Sequence, residues 1–194
     1  MVRGIARERK HFLLSNLLKG FIYLAILLVL FLLLKQFSSE EQRYNWFGAI
    51  YDDTALIMFI FVVSELLFGI IPPEVFMLWS LETSLIGPYF FSIGVLSVIS
   101  YAAGFFNFNL GRWAKDKKWI RRLGYPRFNK YLRMFRQYGG YLVIVASISP
   151  LPFSAISLLS GIGGLPLRKY LFLSLFRIVR YFAYGIALMG LDQL

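Results

Sequence analysis

Apolar residues in this chain fall into five long blocks, and the polar or turn-forming residues between and within them predict the elements. Residues 20–34, GFIYLAILLVLFLLL, form the core of a spanning helix read over 13–34. Residues 84–110 run apolar from Ser84 to Leu110, and 170–191 do so again, interrupted only by Arg177 and Arg180. Each of these is long enough to cross a hydrocarbon core about 30 Å thick. The other two blocks are broken. Gly69 and Pro72-Pro73 divide 54–81, and Pro150 and Pro152 divide 138–169, which is interrupted again by Gly161, Gly163, Gly164 and Pro166. Proline removes a backbone donor and clashes with the preceding turn, so neither block reads as one straight helix. Each predicts a helical hairpin whose arms are too short to span. In the second hairpin, 139–149 descends, Ser149-Pro150-Leu151-Pro152 turns and 153–161 returns. Such a re-entrant segment survives at membrane depth only when buried in protein or lining a wet cavity.

The expected fold is therefore an all-α polytopic membrane protein with three spanning helices and two opposed re-entrant hairpins. The halves 54–110 and 138–191 each read hairpin, then span, which is the pattern of an inverted repeat with a site near the midplane. Composition agrees: 58% of residues are hydrophobic, above the roughly 45–50% of soluble domains.

Charge orients the chain. Residues 1–19 are basic, 35–53 are net acidic, and 111–136 carry ten basic residues against Asp116 alone. The positive-inside rule puts the N-terminus and 111–136 in the cytoplasm and 35–53 outside; with Arg168 and Lys169 on the cytoplasmic side too, seventeen of the 21 basic residues lie inside. Basic residues before an apolar core resemble a signal peptide, but Lys35, Gln36 and Phe37 follow instead of a small-residue cleavage site, so the first helix is expected to stay. The net charge of +11 does not predict nucleic-acid binding, because it falls between hydrophobic blocks rather than on a soluble basic face. Arg112, Arg121, Arg122, Arg133 and Arg136, interleaved with aromatics, read as a positive-inside loop and also as a surface that gathers anionic headgroups. There is no cysteine, and the single histidine, His11, lies beside the basic N-terminus. Disulfide, thiolate and histidine–metal chemistry are excluded, and no cofactor or metal is expected.

The candidate substrate and coupling residues are Glu65, Glu74, Arg168, Arg177 and Arg180. An acid in an apolar membrane segment costs at least about 2.5–3.5 kcal/mol at a helix centre, so it is protonated, paired or wet. Glu74 follows the proline turn, where it has two plain alternatives: sitting in water or capping the second arm. Glu65 lies deeper, where it suits a proton-exchanging group. Arg177 and Arg180 lie three apart on one helix face. They are fitted either to pair with the acids and lock helices or to hold a phosphate bidentately. The glycines and prolines of 161–166 shape the hairpin exit, and backbone N–H groups there are also fitted to a phosphate. Ser147, Ser149, Ser154, Ser157 and Ser160 read as local backbone partners near the turn.

Four patterns carry a family resemblance. Glu65 is followed by Pro72-Pro73-Glu74, an acid, a proline-rich turn and a second acid. Tyr101-Ala102-Ala103-Gly104 leads to Leu110-Gly111-Arg112. Phe135-Arg136-Gln137-Tyr138-Gly139-Gly140 precedes the second hairpin, and Ser149-Pro150-Leu151-Pro152 is followed by Gly161. In order and spacing, over roughly 54–191, they resemble the DedA family, whose shared region is also called the VTT or SNARE-associated domain. Bacterial members often carry arginine three residues before and after the motif proline; here those positions are Ser147 and Phe153. That departure suggests a divergent branch, or cationic work moved to Arg168, Arg177 or Arg180. The resemblance implies a bacterial inner-membrane protein that moves undecaprenyl phosphate or phospholipids between leaflets, in some members coupled to protons or sodium. Its eukaryotic relatives are regarded as scramblases. The expected partners are membrane lipids, anionic or phosphate-bearing. The oligomeric state is left open. Two other functions compete: a structural or assembly factor without transport, and an intramembrane enzyme acting on a lipid phosphate, for which the chain offers little nucleophile chemistry.

Overall fold

A computed structural model describes residues 53–67, 69–83, 87–115, 117, 139–149 and 151–192, together with Ile22, Ile26 and Val29. The expectations for 1–19, for most of 20–34, for Pro150 and for Arg121, Arg122, Arg133 and Arg136 lie outside these residues. Ile22, Ile26 and Val29 are helical and exposed.

The described residues are helical, with no strand among them. The helices are α1 (Thr54–Leu66), α2 (Pro73–Thr83), α3 (Tyr89–Ala114), α4 (Gly140–Ile148), α5 (Phe153–Ile162), α6 (Leu167–Ser174) and α7 (Phe176–Asp192). Both broken blocks divide where the prolines and glycines predict. Asp53 caps α1, its carboxylate accepting from the N–H groups of Ala55 and Leu56 at 3.0 Å. Ser64 fastens the α1–α2 turn: its Oγ accepts from the Ile71 N–H at 2.8 Å and donates to the Ile71 carbonyl at 3.2 Å. The second block gives α4 and α5, whose bounds fall within a residue of the expected arms.

Among the described residues, two helical stretches are long and apolar enough to cross a membrane, Tyr89–Ala114 and Leu167–Gly190. The first has 26 residues, about 39 Å of helix. It begins five residues later than expected, after Gly87 and Pro88, and runs on through Gly111 and Arg112. The second is divided at Leu175, where the Ile178 N–H bonds the Leu175 carbonyl at 3.0 Å and Ser174 Oγ bonds the Leu171 carbonyl at 3.0 Å. The apolar pattern alone does not predict that division. Outward faces are apolar on both stretches: Phe91, Val98, Phe106 and Trp113 on α3, then Phe172, Val179 and Ile186 on α6 and α7.

α3 is the centre, and its most extensive partner is α5. Their backbones touch. A Cβ on Gly111 would collide with the Leu158 carbonyl, and one on Gly161 with the Phe108 carbonyl. The small residues needed for close helix approach are thus Gly111 and Gly161, with Gly104 against the Phe153 ring. Gly94, by contrast, meets only ordinary contact with Phe182. Two apolar clusters flank α3. One gathers Ile57, Phe61, Phe76, Met77, Ile93 and Tyr181. The other gathers Phe108, Val143, Ala146, Phe153 and Tyr170, with Phe108 and Tyr170 stacked at 4.2 Å.

Candidate substrate site

Four ionisable side chains meet between these clusters. Glu65 and Glu74 come from either side of the α1–α2 turn, and Arg177 and Arg180 come from one face of α7. All four are at most 5% exposed.

Glu65 and Arg177 make a closed pair. Arg177 Nη2 donates to both carboxylate oxygens at 2.8 Å. Ser100 Oγ, from α3, donates to Glu65 Oε2 at 2.8 Å and accepts from Arg177 Nε. Tyr181 OH donates to Oε1 at 3.2 Å. The guanidinium also lies 4.5 Å from the Phe153 ring centroid and 5.6 Å from that of Tyr181, so one ring from each apolar cluster faces the charge. Ser154 Oγ donates to the Glu65 backbone carbonyl, tying α5 to the end of α1. Asn107 Nδ2 reaches the neighbouring Leu66 carbonyl at 3.3 Å.

Glu74 and Arg180 make an open pair. Glu74 lies in the first turn of α2, where the helix dipole favours an acid. It is buried rather than standing in water at the turn. Arg180 Nη2 donates to Glu74 Oε1, and Nη1 donates to the Ser149 carbonyl at 2.7 Å. The guanidinium lies 4.8 Å from the Tyr184 ring centroid. Arg180 Nε has no partner, nor does Ser149 Oγ, although both atoms are buried. Nε–H and Nη2–H point along the same edge of a guanidinium, the edge that grips a two-oxygen anion. In Arg177 that edge is filled by Ser100 and Glu65. In Arg180 half of it is bare.

The remaining expectations divide by position. Arg168 is exposed in the first turn of α6, outside the cluster. Arg112 is exposed on the last turn of α3. Pro72 and Pro152 lead into α2 and α5, Pro73 is the first residue of α2, and Gly161, Gly163 and Gly164 lie at the exit of α5. Ser147, Ser157 and Ser160 bond the carbonyl four residues back, as local partners do. Ser154 instead reaches across to α1. The Phe153 ring lies under the Arg177 guanidinium.

Sequence reasoning missed Ser100 and Tyr181 as members of the site. Ser100 reads as a small packing residue in an apolar run. Tyr181 is four residues after Arg177, the spacing that puts two side chains side by side on a helix, and that spacing is the signal that could have found it.

The family model of the VTT domain matches residues 71–188, more than half the chain. Neither curated proteins nor solved structures give a match.

Proposed function

The chain belongs to the VTT-domain (DedA) family, a family of membrane proteins, and from that premise we propose that it moves a phosphate-bearing lipid between leaflets. Undecaprenyl phosphate and phospholipids are the candidate substrates. The observation that carries the reading is the open pair: a buried guanidinium, held on one side by Glu74 and bare at Nε. A charged group this far from water is costly unless matched. A phosphate offers two oxygens to the Nε–Nη2 edge where Glu74 offers Arg180 one.

In this mechanism the headgroup enters between the two helix pairs α1–α2 and α4–α5, while its tail stays in the bilayer. It takes Arg180 from Glu74, and the released carboxylate takes up a proton. Loading and protonation are then linked, and loading is favoured as pH falls. Glu65 and Arg177 hold α1, α3 and α7 together through the cycle. Arg177, seated on Phe153, supplies the charge that the hairpin position itself lacks.

The proposed setting is a bacterial inner membrane with a cytoplasmic N-terminus, three crossings and two opposed re-entrant hairpins. Single cysteines at Ser39 and Lys117 should then label from opposite sides; labelling from the same side would sink the opposed arrangement. For transport itself, the purified protein is placed in vesicles with a labelled phospholipid or a labelled polyprenyl phosphate. Wild type is expected to move at least one of them between leaflets, and Arg180→Ala neither. Failure of wild type to move either would leave a structural or assembly role, and release of phosphate from the label would point to an enzyme.

A further inference from the structure

A second cationic feature lies away from the Glu–Arg cluster and shares no residue with it. A cavity of about 270 Å³ opens where α3 ends and α6 begins. Arg112 and Lys115 line it from α3, and Gly161, Gly164, Leu165, Pro166 and Leu167 line it from the turn between α5 and α6. Among the described residues its wall therefore carries two cations and no acid. Pocket volumes for drug-sized ligands run from about 300 to 1,000 Å³, so this space suits a headgroup rather than a larger molecule.

The turn is shaped to bring the ammonium in. Gly164 has φ +78°, a conformation that residues with a side chain rarely adopt. Lys115 Nζ lies 3.4 Å from where its Cβ would stand. The turn's own N–H groups are spent internally, Gly164 on the Gly161 carbonyl at 3.1 Å and Leu165 on the Ser160 carbonyl at 3.1 Å. The first turn of α6 is different. Its cap is Pro166, which gives no side-chain acceptor, and the turn contains no acid. The positive end of α6 thus adds to the two cations instead of being neutralised. Arg168 and Lys169, exposed in the same turn, strengthen the field at the mouth. The apolar stretch Tyr89–Ala114 ends and the stretch Leu167–Gly190 begins beside this cavity, and the end of an apolar stretch is where a lipid headgroup lies relative to its chains.

We propose that this cavity is an anion-binding site for a phosphate monoester group, held by Arg112 and Lys115 at the end of α3 against the start of α6. A lipid phosphate and free phosphate offer it the same chemistry. The site does not depend on transport: a chain that only bound lipid would use it equally.

The test uses the full-length protein in detergent, titrated calorimetrically with inorganic phosphate and, separately, with short-chain phosphatidic acid, with phosphatidylcholine as control. Wild type should bind at least one of the first two and prefer it to phosphatidylcholine. The double variant Arg112→Gln/Lys115→Gln should bind it about tenfold or more weakly, since two charge-assisted contacts are lost. Lys115→Arg should stay close to wild type. Both residues are exposed, so the variants should fold, which an unchanged melting profile would verify. Binding of both probes shows a site satisfied by the phosphate alone, and binding of phosphatidic acid only shows that the lipid's chains contribute; either supports the proposal. It is overturned if wild type binds neither probe, or if the double variant binds as wild type does. In Arg180→Ala, which removes the proposed central anion group, the share of binding due to Arg112 and Lys115 should remain, and its complete disappearance there would place the ligand in the central cluster instead.

Discussion

The two buried ion pairs use the same chemistry and are finished differently. Glu65 receives Arg177, Ser100 and Tyr181, and every nitrogen on the gripping edge of Arg177 has an acceptor. Glu74 receives Arg180 Nη2 on one oxygen, while Arg180 keeps Nε bare and spends Nη1 on the turn carbonyl of Ser149. A buried polar group left unmatched costs about 1–3 kcal/mol. The closed pair has relieved that cost and has little to gain from a ligand. The open pair still carries it, so an incoming anion has something to relieve. One pair is built to hold, the other to exchange.

The largest effect that separates them is on stability. Arg177→Ala leaves Glu65 buried with its charge unpaired, and breaking a buried pair costs about 3–5 kcal/mol. Little folded protein is expected in detergent, with a strongly lowered melting temperature. Near-normal melting would deny the closed pair its holding role.

Arg180→Ala should behave otherwise. Its edge is already half unmatched, and Glu74 keeps the favourable end of the α2 dipole, so a loss of about 1–3 kcal/mol is expected. Transport should vanish while protein remains in the membrane. Arg180→Lys should recover part of the transport, because it keeps the charge and loses the planar fork. Full transport by Arg180→Ala would reduce this arginine to packing.

The acids give a smaller and more specific contrast. If Glu74 is the group that exchanges, Glu74→Gln flattens the pH profile of lipid movement, removing the rise in rate as pH falls. Glu65→Gln lowers the amount of folded protein but leaves the shape of the profile. A flattened profile in Glu65→Gln, with Glu74→Gln unchanged, would reverse the assignment.

Much of this arrangement is legible in the chain. Prolines and glycines divide the helices where Pro72, Pro73 and Pro152 stand, because a missing donor and a ring clash act locally. Two acids and two arginines in apolar runs must find one another, because hydrocarbon gives each a large penalty alone. Which acid meets which arginine is not legible, since that depends on the depth and rotation at which α7 packs beside α1 and α2. The role of Ser100 is hidden for the same reason: its hydroxyl matters only once α3 brings it between Glu65 and Arg177. The division at Leu175 hides behind a pattern that reads as one helix, and the seating of the Arg177 guanidinium on Phe153 is a matter of space rather than spacing.

Ser100 also gives the smallest change and the sharpest one, because it is the residue that makes the closed pair closed. Its Oγ donates to Glu65 and accepts from Arg177 Nε, so Ser100→Ala strips Nε bare and makes Arg177 resemble Arg180. Three donations to Glu65 survive, two from Arg177 Nη2 and one from Tyr181. Hydrogen bonds inside membrane proteins average about 0.6 kcal/mol, with a maximum near 1.7, and the expected loss lies in that range. The fold persists and the lipid moves at close to the wild-type rate, since Arg177 keeps its acid. If bareness at Nε is what invites an anion, the variant gains a second, weaker anion site in the same cluster. Phosphatidic acid titrated into Ser100→Ala, with Arg112 and Lys115 both replaced by glutamine to silence the outer cavity, should then show more binding than the same background with Ser100 intact. Equal binding in the two would mean that an unpartnered Nε does not by itself recruit phosphate, and the contrast between the pairs would have to rest on Glu74 and the Ser149 turn instead.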